Sequence, residues 1–311
     1  MATARPMPLP APVTTAMRGE VDMRRASYTM TAMRLVVAVI LACACARSAS
    51  AQQRPLVTED PETIGGGRLL IEAGIDVEHD IFFPASGLTG DLLRAPTLGV
   101  SIGLSSIAEL QFDGALYQRL AIEKREPAPF GFKLRVDGNS TSDVEDLVIA
   151  TKLKIVSEHV HRPAIGLHLA TTLPNASNET GLGLDTLDFT ATVLVGKTLG
   201  STRVVGNGGL AILGDPLRGD RQFDVMVYGL SVAHAIHEGL EVVGEVHGHF
   251  QWAWDFPAPG AESKATFRGG VRYTHGAGRV DAGLLVGTTS RDPGIGFTVG
   301  YTHVLDAFTP P

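Results

Sequence analysis

Apolar residues recur at every second position from Arg68 to the end of the chain, in segments of about ten residues. The stretch from Leu240 to Trp252 shows the pattern best, with valines, glycines and aromatic residues on one face and polar residues on the other: Glu241, Glu245, His247, His249 and Gln251, together with Val243. Because successive side chains of a strand point to opposite faces, each segment has one apolar and one polar face. Long strands of this kind are typical of transmembrane barrels, in which one face contacts lipid and the other faces the lumen.

The alternation predicts about 12 strands, and roughly 10 to 14 fit the same pattern because the ends of the segments are poorly defined. The predicted segments centre on residues 71–77, 98–102, 110–116, 147–155, 165–173, 187–195, 202–213, 222–236, 240–252, 264–274, 279–289 and 294–305. The predicted fold class is therefore all-β, a transmembrane antiparallel up-and-down β-barrel.

The connections between these segments alternate in length, as expected for a barrel with short periplasmic turns and longer external loops. Short connections fall near 104–106, 157–162, 200–202, 237–239 and 275–278. Longer ones fall at 79–94, 118–144, 174–186, 214–221 and 253–263, and 289–293 is a short exception. This arrangement places both chain ends in the periplasm.

A secreted soluble β-sandwich or barrel also has short alternating strands and remains an alternative. Two features disfavour it. The predicted strands are longer than the five or six residues usual in soluble sheets, and polar side chains occupy the face that a soluble barrel would bury.

The N-terminal region contains one continuous apolar run, from Leu35 to Ala46, which is too short for a helix that spans a bilayer. Arg34 precedes the run and Ala49-Ser50-Ala51 follows it, so the region resembles a signal peptide cleaved after Ala51. Residues 1–32 are then a long extension or follow a start codon placed too early. A twin-arginine signal at Arg24-Arg25 and acylation at Cys43 are less favoured alternatives. The predicted organisation is an extension and signal peptide at 1–51, a periplasmic lead segment at 52–67 and an outer-membrane barrel at 68–311.

Removal of the signal changes the charge and the cysteine content. The chain has 26 basic and 33 acidic residues, and residues 1–51 hold six and two of them, so the mature net charge is 20 − 31 = −11. We therefore do not expect the mature protein to bind nucleic acid. Both cysteines, Cys43 and Cys45, lie in the signal, so no disulfide, zinc cluster or thiol chemistry is expected in the mature protein.

The segment Thr58-Glu59-Asp60-Pro61-Glu62-Thr63-Ile64-Gly65-Gly66-Gly67-Arg68 resembles the opening of the outer-membrane transporter family called MetA-pathway of phenol degradation. Asp143 to Lys154 resembles its mid-barrel strand, and Ala170 to Pro174 followed by Gly181-Leu182-Gly183 resembles its next strand and loop. The last residues depart from the usual barrel ending, because Phe308 is followed by Thr309-Pro310-Pro311. The resemblance implies a barrel for the passage of hydrophobic or aromatic compounds and gives no residue-level mechanism.

The polar face supplies charged residues of both signs as lumen-lining candidates. These are Glu109, Asp113, Lys152, Lys154, His168, Glu241, Glu245, His247, His249, Arg268 and Arg272. Glu241 and Glu245 are expected to pair with Arg272 and Arg268 across neighbouring strands. The set forms either a charged constriction that selects solutes or, as we favour, a network that satisfies buried charges in a narrow barrel.

Other chemistry has weaker support in the sequence. Glu245, His247 and His249 share one face and form a weak candidate for a zinc site, but this spacing is common by chance. A hydrolase would need a serine or threonine with a histidine and an orienting polar group within hydrogen-bond reach, and the sequence offers such candidates only loosely, so we expect no enzyme. No cofactor is expected either.

The sequence thus predicts a barrel for passive uptake or efflux of small, hydrophobic or aromatic solutes. A hydrolase of outer-membrane lipids and a non-transporting structural barrel remain the alternatives. The expected partners are outer-membrane lipids, the barrel-assembly machinery and the solutes themselves.

Overall fold

The structure, a computed structural model, describes residues 54–251 and 259–309. The predicted signal peptide and Trp252 lie outside these residues. The strands are β1 (Arg68–Phe83), β2 (Leu88–Gly103), β3 (Ala108–Ala115), β4 (Gln118–Arg125), β5 (Ser140–Asp143), β6 (Leu147–Val156), β7 (Ala164–Leu173), β8 (Asp188–Leu199), β9 (Thr202–Gly214), β10 (Gln222–His237), β11 (Leu240–Phe250), β12 (Lys264–His275), β13 (Gly278–Gly287) and β14 (Ile295–Asp306).

The strands form one closed antiparallel sheet, because β1 pairs with β14 on one side and with β2 on the other. Two of the barrel strands are interrupted. β3 and β4 both pair with β2, so they are two halves of one barrel strand. β6 pairs with β3 and β5 pairs with β4, so β5 and β6 are two halves of the next barrel strand. The 14 segments therefore make a barrel of 12 strands, which confirms the predicted fold class and strand number.

The prediction of external loops is wrong at two places. Residues 79–94 are mostly strand, since β1 and β2 continue to a connection at 84–87. Residues 118–144 contain β4 and β5, which extend the wall above Leu116 and Tyr117. The prediction failed there because β-bulges, as at Glu78 to Ile81, shift the alternation and hide it from a period of two.

The apolar face of the strands points outward and the polar face points inward, as predicted. Large apolar side chains on the outside include Val193, Leu230, Val271, Leu284 and Phe297, each more than a third exposed. Tyr273 and Tyr301 lie on the same outer face, in the second halves of β12 and β14. Aromatic residues in such positions are typical of a membrane interface. The described residues include no helix long and apolar enough to cross a membrane.

One end of the barrel has the short turns, the start of β1 and the end of β14, an arrangement typical of the periplasmic end of outer-membrane barrels; we call it the periplasmic end. Its connections are 104–107, 157–163, 200–201, 238–239 and 276–277. Gly200, Gly239 and Gly276 have positive φ in three of these turns, a conformation that glycine adopts without strain.

The opposite end is partly closed by loops. Leu88, Leu92 and Leu120 form a buried cluster on the inner wall, and Leu134 and Leu182 from two loops pack against it. The fully buried ring of Phe130 belongs to the first of these loops, whose backbone N–H donates to Ala85. The external mouth is therefore apolar on this side, unlike the middle of the barrel.

Candidate functional site

Residues Arg54–Ile64, here called the strap, run inside the barrel. Their contacts reach inward-facing residues of β6, β9, β11, β12 and β14. A single segment can touch strands all around a closed barrel only from the lumen. The strap, which is most of the described part of the lead segment predicted at 52–67, therefore lies inside the barrel and not in the periplasm as predicted. It lies there because the lumen supplies partners for its charges and its backbone.

Arg54 is held by β1, β2, β13 and β14. Its guanidinium donates to the hydroxyls of Thr298 at 2.8 Å and Thr97 at 3.2 Å and to the carbonyl of Val299 at 3.0 Å. The carboxylates of Asp76 and Asp281 each lie 3.6 Å from it. These contacts fix the start of the strap near the middle of the wall.

Glu245 binds the strap backbone. The Val57 N–H donates to both carboxylate oxygens, at 2.8 and 3.0 Å, and the Thr58 N–H and hydroxyl donate to Oε2 at 2.8 and 2.6 Å. Glu245 is only 2% exposed, so these hydrogen bonds replace the water that a buried carboxylate loses.

The three acidic residues of the strap face three basic residues of the wall. Glu59 accepts from the Lys152 ammonium at 3.3 Å, and Glu62 accepts from the Lys154 ammonium at 3.1 Å. Asp60 receives two hydrogen bonds from Arg203, at 2.9 and 2.8 Å, in the bidentate geometry typical of strong arginine–carboxylate pairs. Charge complementarity therefore holds the strap along its length.

The remaining predicted lumen residues also face inward. Glu109 accepts from the Ile64 N–H at 2.8 Å and lies 3.3 Å from Lys152. His168 contacts Gln111 at 3.0 Å, and Asp113 lines a cavity described below. Much of the charged network therefore binds a segment of the same chain. Neither the charged constriction nor the network of wall residues considered from the sequence included such a segment.

The two expected cross-strand pairs differ in the structure. Arg272 donates to Glu241 at 2.7 Å, as expected from their pairing in the ladder. Arg268 stands opposite Glu245 but its Nε is 3.8 Å from the carboxylate, and its Nη1 donates to the Pro55 carbonyl of the strap at 2.9 Å. Glu245 and Arg268 therefore both make their hydrogen bonds with the strap and not with each other.

Glycines on the inner wall leave the space that the strap fills. A Cβ at Gly74 or Gly300 would lie 2.3 or 2.2 Å from the Arg54 guanidinium. A Cβ at Gly270 would lie 3.0 Å from Pro55 Cγ, and one at Gly196 would lie 2.9 Å from Pro61 Cγ. Inward-facing glycines in strands were the sequence signal that could have revealed an occupied lumen.

Glu158 links the strap's partner Arg203 to the periplasmic turn between β6 and β7. Burial alone would raise the pKa of Glu158, but hydrogen bonds from Lys197 and from the backbone and hydroxyl of Thr198, with the charge of Arg203, lower its pKa to about 2. Arg203 thus lies between two carboxylates, one on the strap and one on the turn.

Two cavities lie on opposite sides of the strap, and Leu56 and Thr58 line both. The periplasmic cavity, about 570 Å³, is bordered by Glu158, Arg203, Glu241 and Arg272. The second, about 530 Å³, is bordered by Asp113, His168, His247, His249 and Arg268. A third cavity of about 210 Å³ lies farther toward the external end, beside Phe223 and Val225.

The weak zinc candidate does not assemble. Glu245 is engaged by the strap, and His247 Nε2 lies 3.8 Å from its carboxylate. Among the residues that the structure describes, a different trio brings its possible ligand atoms within 4.8 Å of one another: His79, Asp91 and Glu123. His79 contacts Asp91 directly, and both side chains are about half exposed, away from the strap.

Sequence reasoning missed the strap and three of its partners, Arg203, Asn207 and Asp281. The side-chain amide of Asn207 can satisfy the strap backbone in one of its two orientations, in which its nitrogen donates to the Glu59 carbonyl at 2.9 Å and its oxygen accepts from the Glu59 N–H at 2.7 Å. These residues lie on the inner face, but nothing in the local sequence pattern indicated that they contact a segment far away in the chain.

Comparison with solved structures supports the fold. The COG4313 outer membrane channel from Pseudomonas putida F1 is 15% identical, with a TM-score of 0.59, over 79% of this chain and 98% of that one. The translocator domain of the autotransporter NalP from Neisseria meningitidis is 10% identical with a TM-score of 0.44, covering 91% and 97% of the two chains. The CymD monoaromatic hydrocarbon channel is 9% identical with a TM-score of 0.39, covering 76% and 88%. The last two scores are too low to carry an argument.

No functionally curated protein matches the chain. The family described as putative MetA-pathway of phenol degradation matches residues 52–302, which include the strap and nearly the whole barrel. The Thr58 to Arg68 segment that resembles this family's opening overlaps the strap and leads from it to the start of β1. With four fifths of its length matched, this barrel, strap included, belongs to that family.

Proposed function

We propose that this protein is an outer-membrane channel for the passive passage of small hydrophobic or aromatic solutes. The observation that carries the proposal is the pair of cavities on either side of the strap, which touches both. Each is large enough for a small molecule. The family description and the name of the Pseudomonas channel support the same class of function.

In this proposal the strap is the barrier on the solute's route, and its polar contacts allow it to be displaced without breaking the wall. We further propose that the mature chain begins at Gln52 after signal cleavage and that the barrel-assembly machinery inserts it among outer-membrane lipids. No catalytic role is proposed. Labelling of the purified protein by a serine-directed inhibitor would favour the hydrolase alternative instead.

A reversible lock on the strap tests the proposal. The mature chain contains no cysteine, and a Cβ at Gly229 would lie 3.4 Å from Thr58 Cγ2 and 3.0 Å from Oγ1. These two Thr58 atoms occupy γ positions, where a cysteine sulfur would lie, so residues 58 and 229 are close enough for a disulfide to form between them. The double variant Thr58→Cys with Gly229→Cys is expected to fix the strap to β10 when oxidised and to release it when reduced.

Uptake of an environment-sensitive aromatic fluorophore is measured in vesicles with lipopolysaccharide in the outer leaflet, because plain bilayers pass apolar solutes by themselves. Empty vesicles and the two single-cysteine variants are the controls. The reduced protein should exceed empty vesicles, and oxidation should remove most of the excess. Equal uptake by reduced protein and empty vesicles contradicts the channel, and equal uptake by both redox forms contradicts a route past the strap.

A further inference from the structure

A cluster of four ionisable side chains lies on the outer surface of the barrel near its external end. It consists of His79 and Asp80 on β1, Asp91 on β2 and Glu123 on β4. Val77 and Leu93, which pair in the ladder next to the cluster on its periplasmic side, are exposed on the same outer face. The cluster therefore borders the apolar outer face of the wall and lies outside the lumen, away from the strap.

Two β-bulges bring these side chains together. His79 and Asp80 together stand opposite Asp91 in the ladder between β1 and β2. Glu123 is the extra residue where the register shifts in the ladder between β4 and β2. A bulge changes the direction of a side chain, and bulges are common beside functional sites. Both bulges border Asp91, so side chains from three strands converge on it.

His79, Asp91 and Glu123 can each direct one ligand atom at a common point. These atoms lie within 4.8 Å of one another. Two ligands of a tetrahedral zinc ion, each about 2.0–2.2 Å from the metal, are separated by about 3.4 Å. The cluster is therefore slightly wider than an occupied site. The side chains of His79 and Asp91 are about half exposed, so they can rotate to close it and are open to an ion from solution.

The imidazole of His79 has the surroundings of a metal ligand. Its Nδ1 contacts Asp91, on the side of the other two ligands, and its Nε2 lies 3.5 Å from the Asp80 carboxylate. A histidine that binds a metal through one ring nitrogen usually donates its other N–H to a carboxylate, which fixes the tautomer and the direction of the ring. Asp80 stands in the position for this role.

The negative charge of the cluster is not balanced by ion pairs with the rest of the protein. Asp80, Asp91 and Glu123 surround one imidazole, and within residues 54–251 and 259–309 none of the three carboxylates forms an ion pair with a lysine or arginine. Even a protonated imidazole leaves two negative charges, and neighbouring like charges repel one another. A divalent cation at their centre removes this repulsion.

We propose that His79, Asp91 and Glu123 bind one divalent transition-metal ion of the zinc class, with Asp80 orienting the imidazole. Imidazole is a good ligand for zinc, whereas calcium and magnesium prefer oxygen ligands. The ion joins β1, β2 and β4 near their external ends and so holds the external part of the wall together. This inference does not depend on the proposed function, because the site lies outside the lumen.

Zinc binding to the refolded mature protein tests the proposal. The protein is prepared without a histidine tag, treated with a chelator and placed in nanodiscs of zwitterionic lipid, with empty nanodiscs as the background. Titration calorimetry should show one saturable site. His79→Ala and Glu123→Gln should each weaken zinc binding about tenfold or more, since the loss of a residue that merely orients a ligand already has an effect of this size.

Two exposed positions provide matched controls. His161→Ala removes an imidazole from a periplasmic turn, and Glu126→Gln removes the same charge as Glu123→Gln three residues farther along the chain. Both controls should leave the affinity for zinc unchanged. His79 and Glu123 are exposed as well, so their substitution leaves the interior of the barrel intact.

A second measurement separates a specific site from adventitious binding. Hydrogen exchange at residues 79–83 and 119–125 should slow several-fold when zinc is added to the parent protein and should not change in Glu123→Gln. An excess of Ca²⁺ or Mg²⁺ should not displace the zinc. The proposal is overturned by the lack of a saturable site in the parent, by equal affinity in the parent and both ligand variants, or by displacement with Ca²⁺. Unchanged exchange in the zinc-bound parent contradicts the connection between the three strands.

Discussion

At the scale of the residue, Glu245 is the contact that fixes the strap most firmly, with four hydrogen bonds from two consecutive residues. Because an ionised acceptor roughly doubles the strength of a hydrogen bond, the charge of this carboxylate matters as much as its shape. Alternation along β11 correctly placed Glu245 on the inner face. It could not reveal the partner, since Val57 lies 188 residues away in the chain.

We expect Glu245→Gln to loosen the strap while the barrel stays closed. The amide keeps the shape but carries no charge and offers only one acceptor oxygen. Hydrogen exchange of the Val57 and Thr58 amides should accelerate roughly 10- to 100-fold, which corresponds to a loss of about 1.5–3 kcal/mol. Glu241→Gln, which affects the Arg272 pair beside the periplasmic cavity, is the control. Unchanged protection at Val57 would show that the other contacts hold the strap without Glu245.

At the scale of the element, the fit between strap and wall depends on glycines that remove side chains from the inner face. The sequence predicted the strands of the C-terminal half, from β6 onward, because their alternation is regular. It failed for β4 and β5 and for the outer parts of β1 and β2, where bulges interrupt the period. It also failed for the strap, which has no period at all and follows the wall through charge and backbone contacts.

Gly300→Ala should displace the strap start without disturbing the sheet. Its Cβ would come within 2.2 Å of the Arg54 guanidinium, which must then leave Thr298. Limited proteolysis near Arg54 should become several-fold faster. Gly206→Ala is the matched control, because a Cβ there meets nothing within 4 Å. Equal proteolysis of the two variants would mean that Arg54 finds other partners at no cost.

The turn between β6 and β7 is the second element with a testable contact. Glu158 has a pKa of about 2 against a usual 4.5, so its ionised form stabilises the folded turn at pH above 4.5. This stabilisation is lost as the pH falls from about 4.5 through 2, where the carboxylate becomes protonated in the folded protein too.

Glu158→Gln should therefore lower the temperature of unfolding at pH 7, and the difference from the parent should shrink as the pH falls toward 2. The temperature of unfolding is measured at each pH as the temperature at which the compact form of the barrel disappears on gels. Glu238→Gln, in another periplasmic turn, controls for general acid effects. A difference that stays constant from pH 7 to 2 would contradict the assigned pKa.

At the scale of the whole molecule, the barrel is a polar interior inside an apolar cylinder. The sequence predicted the number of strands, their closure and the direction of each face, because these follow from a repeated local pattern. The filling of the lumen could not be predicted in this way, since it depends on the position of one unrepeated segment. The alternation also missed two apolar parts of the inner face, the cluster of Leu88, Leu92 and Leu120 and the wall beside Phe223.

The apolar cylinder predicts a cost for a charge on its outside. Leu284, 55% exposed between Gly269 and Phe297, lies on the outer face of β13. Leu284→Lys should lower the free energy of unfolding in lipid vesicles by about 2–4 kcal/mol, the value typical near the centre of a bilayer. Leu284→Phe keeps the face apolar and should cost much less. A small loss for the lysine would place this position near the lipid headgroups.

The long reach of the strap also determines when it can fold. Its partners lie 93, 143, 187 and 244 residues farther along the chain, at Lys152, Arg203, Glu245 and Thr298. Contacts between such distant parts of a chain form slowly, because a large loop must close before any of them is gained. The residues that begin the described chain are therefore expected to reach their final positions last, after β14 has arrived to complete the binding place for Arg54.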